Sequence, residues 1–249
     1  MKRLFSILIT CVLACSLAAC GNAGSSTENN SSAAPSAEIS SQSTAEDDKT
    51  APEQTDEPVT ETPADNADGS DSEGSRILVV YFSRTGEQYT VGVIDHGNTA
   101  IVAEMIADET GADLFEILPE DDHYPMTYEE LTDVAKKEQN EKARPAYAGE
   151  VPDLSQYDTI FIGAPVWWGD WPMIMYTFFE ENEEALAGKN LVPFSTHEGS
   201  GLSGFDKKLS SAVPGSTVLK GLATRGNDCQ NKQDSVRKSV NDWIADLGF

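Results

Sequence analysis

From Arg76 onward, short continuous apolar runs alternate with stretches of helical period, and this alternation constrains the fold of the 249-residue chain more than any other feature. Ile77-Leu-Val-Val-Tyr-Phe82, Thr159-Ile-Phe-Ile-Gly163 and Leu191-Val-Pro-Phe-Ser195 have no polar alternation, so they read as strands buried on both faces. Asp113–Leu118 and Thr217–Lys220 are the two weaker strand candidates. Between them, Thr99–Thr110 places Ile101, Val102, Met105 and Ile106 at helical spacing, with Asn98 suited to the N-cap and Gly111 to the stop. Thr127–Lys142, Pro172–Glu181, a short segment after Gly204, and Asp234–Leu247 are the other predicted helices. Such an order implies an α/β domain with a five-stranded, doubly wound parallel sheet and helices on both faces. Ligands of these sheets sit at the carboxyl ends of the strands, where strand order reverses. Attention therefore falls on the loops after Phe82, Gly163 and Ser195.

The chain before this domain reads differently. Met1-Lys2-Arg3 precedes an apolar stretch from Leu4 to Ala19, the pattern of a secretory signal, here residues 1–19. Leu17-Ala-Ala-Cys20-Gly21 resembles the lipobox of bacterial lipoproteins, which implies cleavage before Cys20 and acylation of that residue. Residues 20–75 form the expected tether. From Gly21 to Ser75 there are 13 acids, one Lys and no aromatic residue, a composition that cannot offset its ordering entropy. As a flexible coil its span would be roughly 40 Å. The expected location is therefore exported and lipid-anchored, with residues 76–249 on the extracytoplasmic side. Cys229 is the one Cys left after Cys20, so it has no partner for an intramolecular disulfide and reads as a small buried residue.

Arg76–Phe249 holds 29 acids against 14 bases, which argues against nucleic acid as a partner and favours basic partner surfaces. His96, His123 and His197 share no ligand spacing, so no metal site is expected. A phospho-receiver would need acids where Ser83-Arg84 stand and an Asp near Ala164-Pro165, and no G-x-S-x-G marks a hydrolase.

The three loops have unusual compositions. The first carries two phosphate-like turns, Ser83-Arg84-Thr85-Gly86 and His96-Gly97-Asn98-Thr99. Only the second adjoins a helix start, where free N–H groups and the positive dipole end favour an anion. Ser83, Arg84 and Thr85 leave the neighbouring strand and can approach from the other side, which makes Gly86–Asp95 an insertion inside one site. The second loop, Gly163-Ala-Pro165-Val166-Trp167-Trp168-Gly169-Asp170-Trp171-Pro172, concentrates indoles that can stack on a flat ligand or anchor the loop from below. In the third, Thr196-His197-Glu198-Gly199-Ser200-Gly201, the backbone can come close to a ligand's polar edge. Its formal G-x-G-x-x-G follows the wrong strand for a dinucleotide fingerprint. His197 is either a proton donor or a residue that fixes its own loop.

With these residues in hand, Arg76–Phe249 resembles the flavodoxin-like family over the whole domain. Ser83-x-Thr85-Gly86 and Gly97-Asn98-Thr99 together look like its loop around the phosphate of FMN. Trp167-Trp168-Gly169-Asp170, preceded by Pro165-Val166, looks like the loop that supplies a Trp face and a Gly whose peptide can turn over to stabilise the semiquinone. Thr196, His197, Glu198, Gly199 and Gly201 correspond to the loop along the flavin's pyrimidine edge. The third loop lacks the aromatic residue that electron-carrying flavodoxins stack on the ring, which implies one open flavin face unless Tyr89 or Val91–Ile94 cover it. The resemblance implies FMN as cofactor and electron transfer as function, with a redox protein or small-molecule acceptor as partner and the membrane touched through the anchor only. The alternative it leaves open is an NAD(P)H-dependent reductase of quinones or other small molecules.

Overall fold

The computed structural model describes residues 76–249; the signal, Cys20 and the tether lie outside the described residues. The chain runs β1 (Ile77–Tyr81), β2 (Gly86–Gln88), β3 (Gly92–Ile94), α1 (Asn98–Thr110), β4 (Asp113–Glu116), β5 (Leu118–Pro119), α2 (Tyr128–Glu141), β6 (Tyr147–Ala148) and β7 (Thr159–Pro165). It continues through α3 (Met173–Glu181), α4 (Glu183–Leu186), β8 (Asn190–His197), α5 (Phe205–Ala212), β9 (Thr217–Val218), β10 (Leu222–Arg225), α6 (Gly226–Asn231) and α7 (Gln233–Leu247). Among the described residues, no helix is long and apolar enough to cross a membrane.

Five parallel strands form the main path of the sheet in the order β10-β8-β7-β1-β4, with β9 paired to the start of β8. The apolar runs are explained by burial on both faces. Leu78, Val80, Ile160 and Ile162 face α2, α3 and α5, whereas Val79, Tyr81, Phe161 and Val192 face α1 and α7. From β1 the chain moves outward to β4, then returns to place β7 on β1's other side. The order reverses between β1 and β7, so the loops after them open into the crevice expected of a doubly wound sheet.

Two strand boundaries differ from the sequence expectation. Thr217–Lys220 contributes only the two-residue β9, and the edge strand is Leu222–Arg225, which pairs with Phe194–His197. This edge strand alternates half-buried Leu222 and buried Thr224 with exposed Ala223 and Arg225, so it gives no continuous apolar run. Leu118 and Pro119 leave the main sheet and pair antiparallel with Tyr147 and Ala148. The insertion after Thr85 is a β-hairpin, β2–β3, tied to the start of α2 by Glu87 N–H on Met126 O and by Tyr128 N–H on the Glu87 carboxylate.

Candidate functional site

The two phosphate-like turns are one construction. Ser83 Oγ accepts from Ala100 N–H at 3.0 Å and so caps α1, a task that the N-cap residue itself, Gly97, has no side chain to perform. A Cβ on Gly97 would lie 2.1 Å from Ser83 Oγ and 2.9 Å from Arg84 O, so only glycine lets the chain leaving β1 cross the helix start. The N–H groups of Asn98 and Thr99 have no acceptor among the described residues, and α1 has no acid in its first turn. This leaves a backbone cup that is open to an anion. Thr99 Oγ1 meets Thr196 Oγ1 at 2.7 Å, which brings the third loop to the same place.

Arg84 does not turn toward the cup. Its guanidinium binds the Asp122 carboxylate at 2.8 and 3.0 Å and Tyr124 O at 2.8 Å, with only 9% of the side chain exposed. Thr85 uses its carbonyl to accept from Gln88 Nε2, at the root of the hairpin.

The three indoles of the second loop have separate tasks. Trp171 is fully buried and stacks on Phe205 at 3.6 Å, so it anchors the loop from below. Trp167 packs edge-on against Phe82 and Tyr124 at 5.4 and 5.2 Å. Trp168 remains 52% exposed, held by Nε1–H on Thr132 O and by the Lys136 ammonium 4.9 Å from its ring. Asp170 faces inward: one carboxylate oxygen accepts from Trp171 N–H and the Tyr176 hydroxyl, and burial raises the Tyr176 pKa, as does this carboxylate.

In the third loop, His197 Nδ1 accepts from Gly199 N–H at 2.8 Å. A nitrogen that accepts carries no proton, so the ring is neutral with its hydrogen on Nε2. Burial lowers its pKa, and Arg225 adds to the effect against the opposing pull of Glu198. His197 is thus suited to donating a hydrogen bond through Nε2, and acting as an acid would require the Gly199 contact to break. Glu198 is nearly enclosed, with 12% of its side chain exposed; it accepts from Asn227 N–H at 2.6 Å and pairs with Arg225 at 3.3 Å. Gly201 O accepts from Ser195 Oγ and closes the loop on itself.

The three loops meet at a cavity of about 240 Å³ lined by Asn98, Pro165, Val166, Trp167, Trp168, Thr196, His197 and Glu198. Two further walls complete the cavity, and of these the sequence reading had reached only Tyr89 and Val91. One is the corner from β10 into α6, where Gly226 lines the cavity and Gln230 Nε2 donates to Asn98 Oδ1. A Gly between a strand and a helix was its only local signal, hidden because the strand itself was placed too early. The other wall joins Glu87–Tyr89 and Val91 of the hairpin to Tyr128, Leu131, Thr132 and Ala135 of α2. Tyr89 stacks on Tyr128 at 5.4 Å, with both rings exposed at the rim.

A doubly wound sheet with an anion cup and an aromatic-walled slot at its switch point defines a protein that holds a flat, phosphorylated ligand. The Flavodoxin family model matches residues 76–245, and the chain belongs to the flavodoxin family. A protein from Bacteroides uniformis described as a flavoprotein is 30% identical, over 69% of this chain and 99% of its own, with a TM-score of 0.54. Another from Bacteroides eggerthii, described in the same way, is 28% identical over 71% of this chain and 99% of its own, with a TM-score of 0.56. A flavoprotein from Lactobacillus acidophilus, solved in complex with FMN, is 22% identical over 65% of this chain and 99% of its own, with a TM-score of 0.48. A search of curated proteins found no match.

Proposed function

We propose that this chain is an FMN-dependent redox protein, anchored to the membrane through Cys20, that passes electrons to an acceptor outside the cytoplasm. One observation carries the reading: the N–H groups at the start of α1, without an acceptor among the described residues, and the Trp167–Trp168 slot open onto the same crevice, as a phosphorylated flat ring requires. The residues fit FMN. Asn98, Thr99, Ser83 and Thr196 would hold the phosphate end, and Trp168 with the Thr196–Glu198 backbone would hold the ring. FMN supplies the hydride or electron chemistry; the protein binds the ring, orients it and sets the electrostatics around it. His197 lines the cavity with its Nε2–H free of any acceptor among the described residues, so it can meet a ring acceptor.

A small-molecule acceptor, reduced at the expense of NAD(P)H, is favoured over a protein partner by one feature. Tyr89, Tyr128 and Trp168 leave an aromatic rim around a narrow cavity, a shape suited to a planar molecule such as a quinone. The purified protein should show flavin bands after addition of FMN, and NADH or NADPH should bleach them without a helper reductase. Absence of flavin binding in excess FMN would overturn the cofactor reading. Flavin that bleaches only with a reductase protein would return the function to electron carrying. The anchor has its own test: Cys20→Ser should release the exported protein from the membrane fraction.

A further inference from the structure

We propose that Lys208 is a positioning residue that clamps the aromatic loop to the Gly-rich loop and keeps the Trp168–Gly169 turn in one conformation while the bound ring is reduced. The inference rests on the flavin reading above for its redox half and on the turn alone for its conformational half.

Lys208 sits at the first turn of α5, directly after the Gly-rich loop. Its ammonium donates to the Gly169 carbonyl and to the Ser203 carbonyl at 3.0 Å, and pairs with the Asp170 carboxylate at 3.3 Å. Gly169 and Asp170 belong to the aromatic loop and Ser203 to the Gly-rich loop, so a single side chain joins the two. Neither Lys208 nor Gly169 lines the cavity, so this carbonyl is engaged on the α5 side of the turn.

Two peptide groups in the turn could rotate. Trp167 and Asp170 exchange both backbone hydrogen bonds, at 3.0 and 2.9 Å, and φ is +50° at Trp168 and +74° at Gly169. These are the features of a type I′ two-residue hairpin. Rotating its central peptide, Trp168–Gly169, would give type II′, whose first central position takes glycine; Trp168 stands there and its Cβ opposes the change. Rotating the next peptide, Gly169–Asp170, would detach Asp170 N–H from Trp167 O and the Gly169 carbonyl from Lys208. The first peptide is held by sterics and by Gln139 Nε2, which donates to Trp168 O at 3.2 Å; the second is held by Asp170 N–H on Trp167 O and by Lys208.

Reduction of bound FMN would place a hydrogen on a ring nitrogen, and a backbone carbonyl free to rotate inward would accept a hydrogen bond from that N–H and stabilise the one-electron state. A clamped turn withholds that acceptor, so both electrons enter over a narrow range of potential. This favours two-electron delivery and thus a small-molecule reductase.

Lys208→Met tests both halves, with Lys207→Met as a control that removes the same charge from an exposed neighbour. In the FMN-free chain, exchange of the Asp170 amide should accelerate about tenfold in Lys208→Met and stay unchanged in Lys207→Met. In the FMN-loaded chain titrated with dithionite, the long-wavelength absorbance of singly reduced flavin should be slight in the wild type. Its disproportionation constant should fall about tenfold in Lys208→Met alone. Unchanged Asp170 exchange overturns the clamp. Accelerated exchange with equal long-wavelength absorbance in both variants overturns its link to reduction. A wild type that binds no FMN overturns the flavin reading, while the exchange result still decides the clamp.

Discussion

The two ends of the cavity are made of different materials. At the end proposed for the phosphate, main-chain N–H groups, a glycine with no room for a Cβ and two hydroxyls facing each other leave little freedom. At the ring end, side chains from a hairpin and a separate helix lean on one another, with Tyr89, Tyr128 and Trp168 all exposed. Main-chain geometry at a helix start depends on a few adjacent residues, whereas an aromatic rim can be rebuilt one side chain at a time. Cofactor retention should therefore depend on the first end and choice of acceptor on the second.

The sharpest way to break this division is Gly97→Ala. The new methyl must displace Ser83 Oγ and the Arg84 carbonyl, and the latter is main chain that cannot swing aside. Overpacking of this kind costs about 1–3 kcal/mol, so FMN affinity should fall roughly 5- to 150-fold. Fluorescence titration of FMN would measure it; an unchanged Kd would mean that the cup is not where phosphate binds. Ser83→Ala is milder. It removes the cap from Ala100 N–H, and loss of such a cap costs about 1 kcal/mol. Thermal unfolding should register that loss even without FMN, and with FMN the loss in affinity should stay smaller than for Gly97→Ala.

The sequence revealed the first end more fully than the second for a reason these substitutions expose. A helix start, a cap and a glycine are local, so Gly97-Asn98-Thr99 could be read as an anion site from neighbours alone. That Ser83 would supply the cap depends on the crossing of two segments separated by the whole hairpin, and the sequence placed it only on the far side. Arg84, read with Ser83 and Thr85, is drawn away by Asp122 and Tyr124, some forty residues on. The walls built from Tyr128, Leu131 and Gly226 depend on how α2 and β10 dock, and apart from the glycine itself nothing in their local sequence announces it. The buried strands were legible because burial on both faces removes polar alternation; the edge strand was misplaced because it lacks that constraint.

Tyr89→Ala tests the ring end. Its loss removes a stacked pair worth about 0.5–1.5 kcal/mol beyond area burial, enough to loosen the hairpin tip without unfolding the domain. FMN affinity should change by less than about threefold, while the rate of reduction of a bound quinone changes about tenfold. Equal effects on both would erase the distinction between the two ends.

The smallest expected effect lies beneath the ring end and concerns two histidines of opposite behaviour. His123 Nδ1 faces Asp121 O and Nε2 faces the Glu138 carboxylate, each at 2.8 Å, so both nitrogens meet acceptors and the ring favours its charged form. The hydrogen bond it donates to the Glu138 carboxylate raises its pKa above the ordinary 6.5. His197, with Nδ1 accepting from Gly199, is shifted down by burial. The signs of linkage follow. A raised histidine contributes stability that is fully present below the unfolded pKa and lost as pH rises through the folded one; a lowered histidine contributes above the unfolded pKa and loses it as pH falls. His123 is 42% exposed, so solvent screens its contribution and the effect on Tm should be small. Melting curves of His123→Gln and His197→Gln, read against wild type, should diverge in opposite senses. The His123 deficit should be largest near pH 5.5–6 and fade by about pH 9, while the His197 deficit should be larger at about pH 8 than at about pH 5. A His123 deficit that grows with pH would mean that the Glu138 contact does not hold the charged ring. Tyr124, which shares that carboxylate and packs on Trp167, would then lose its assigned support.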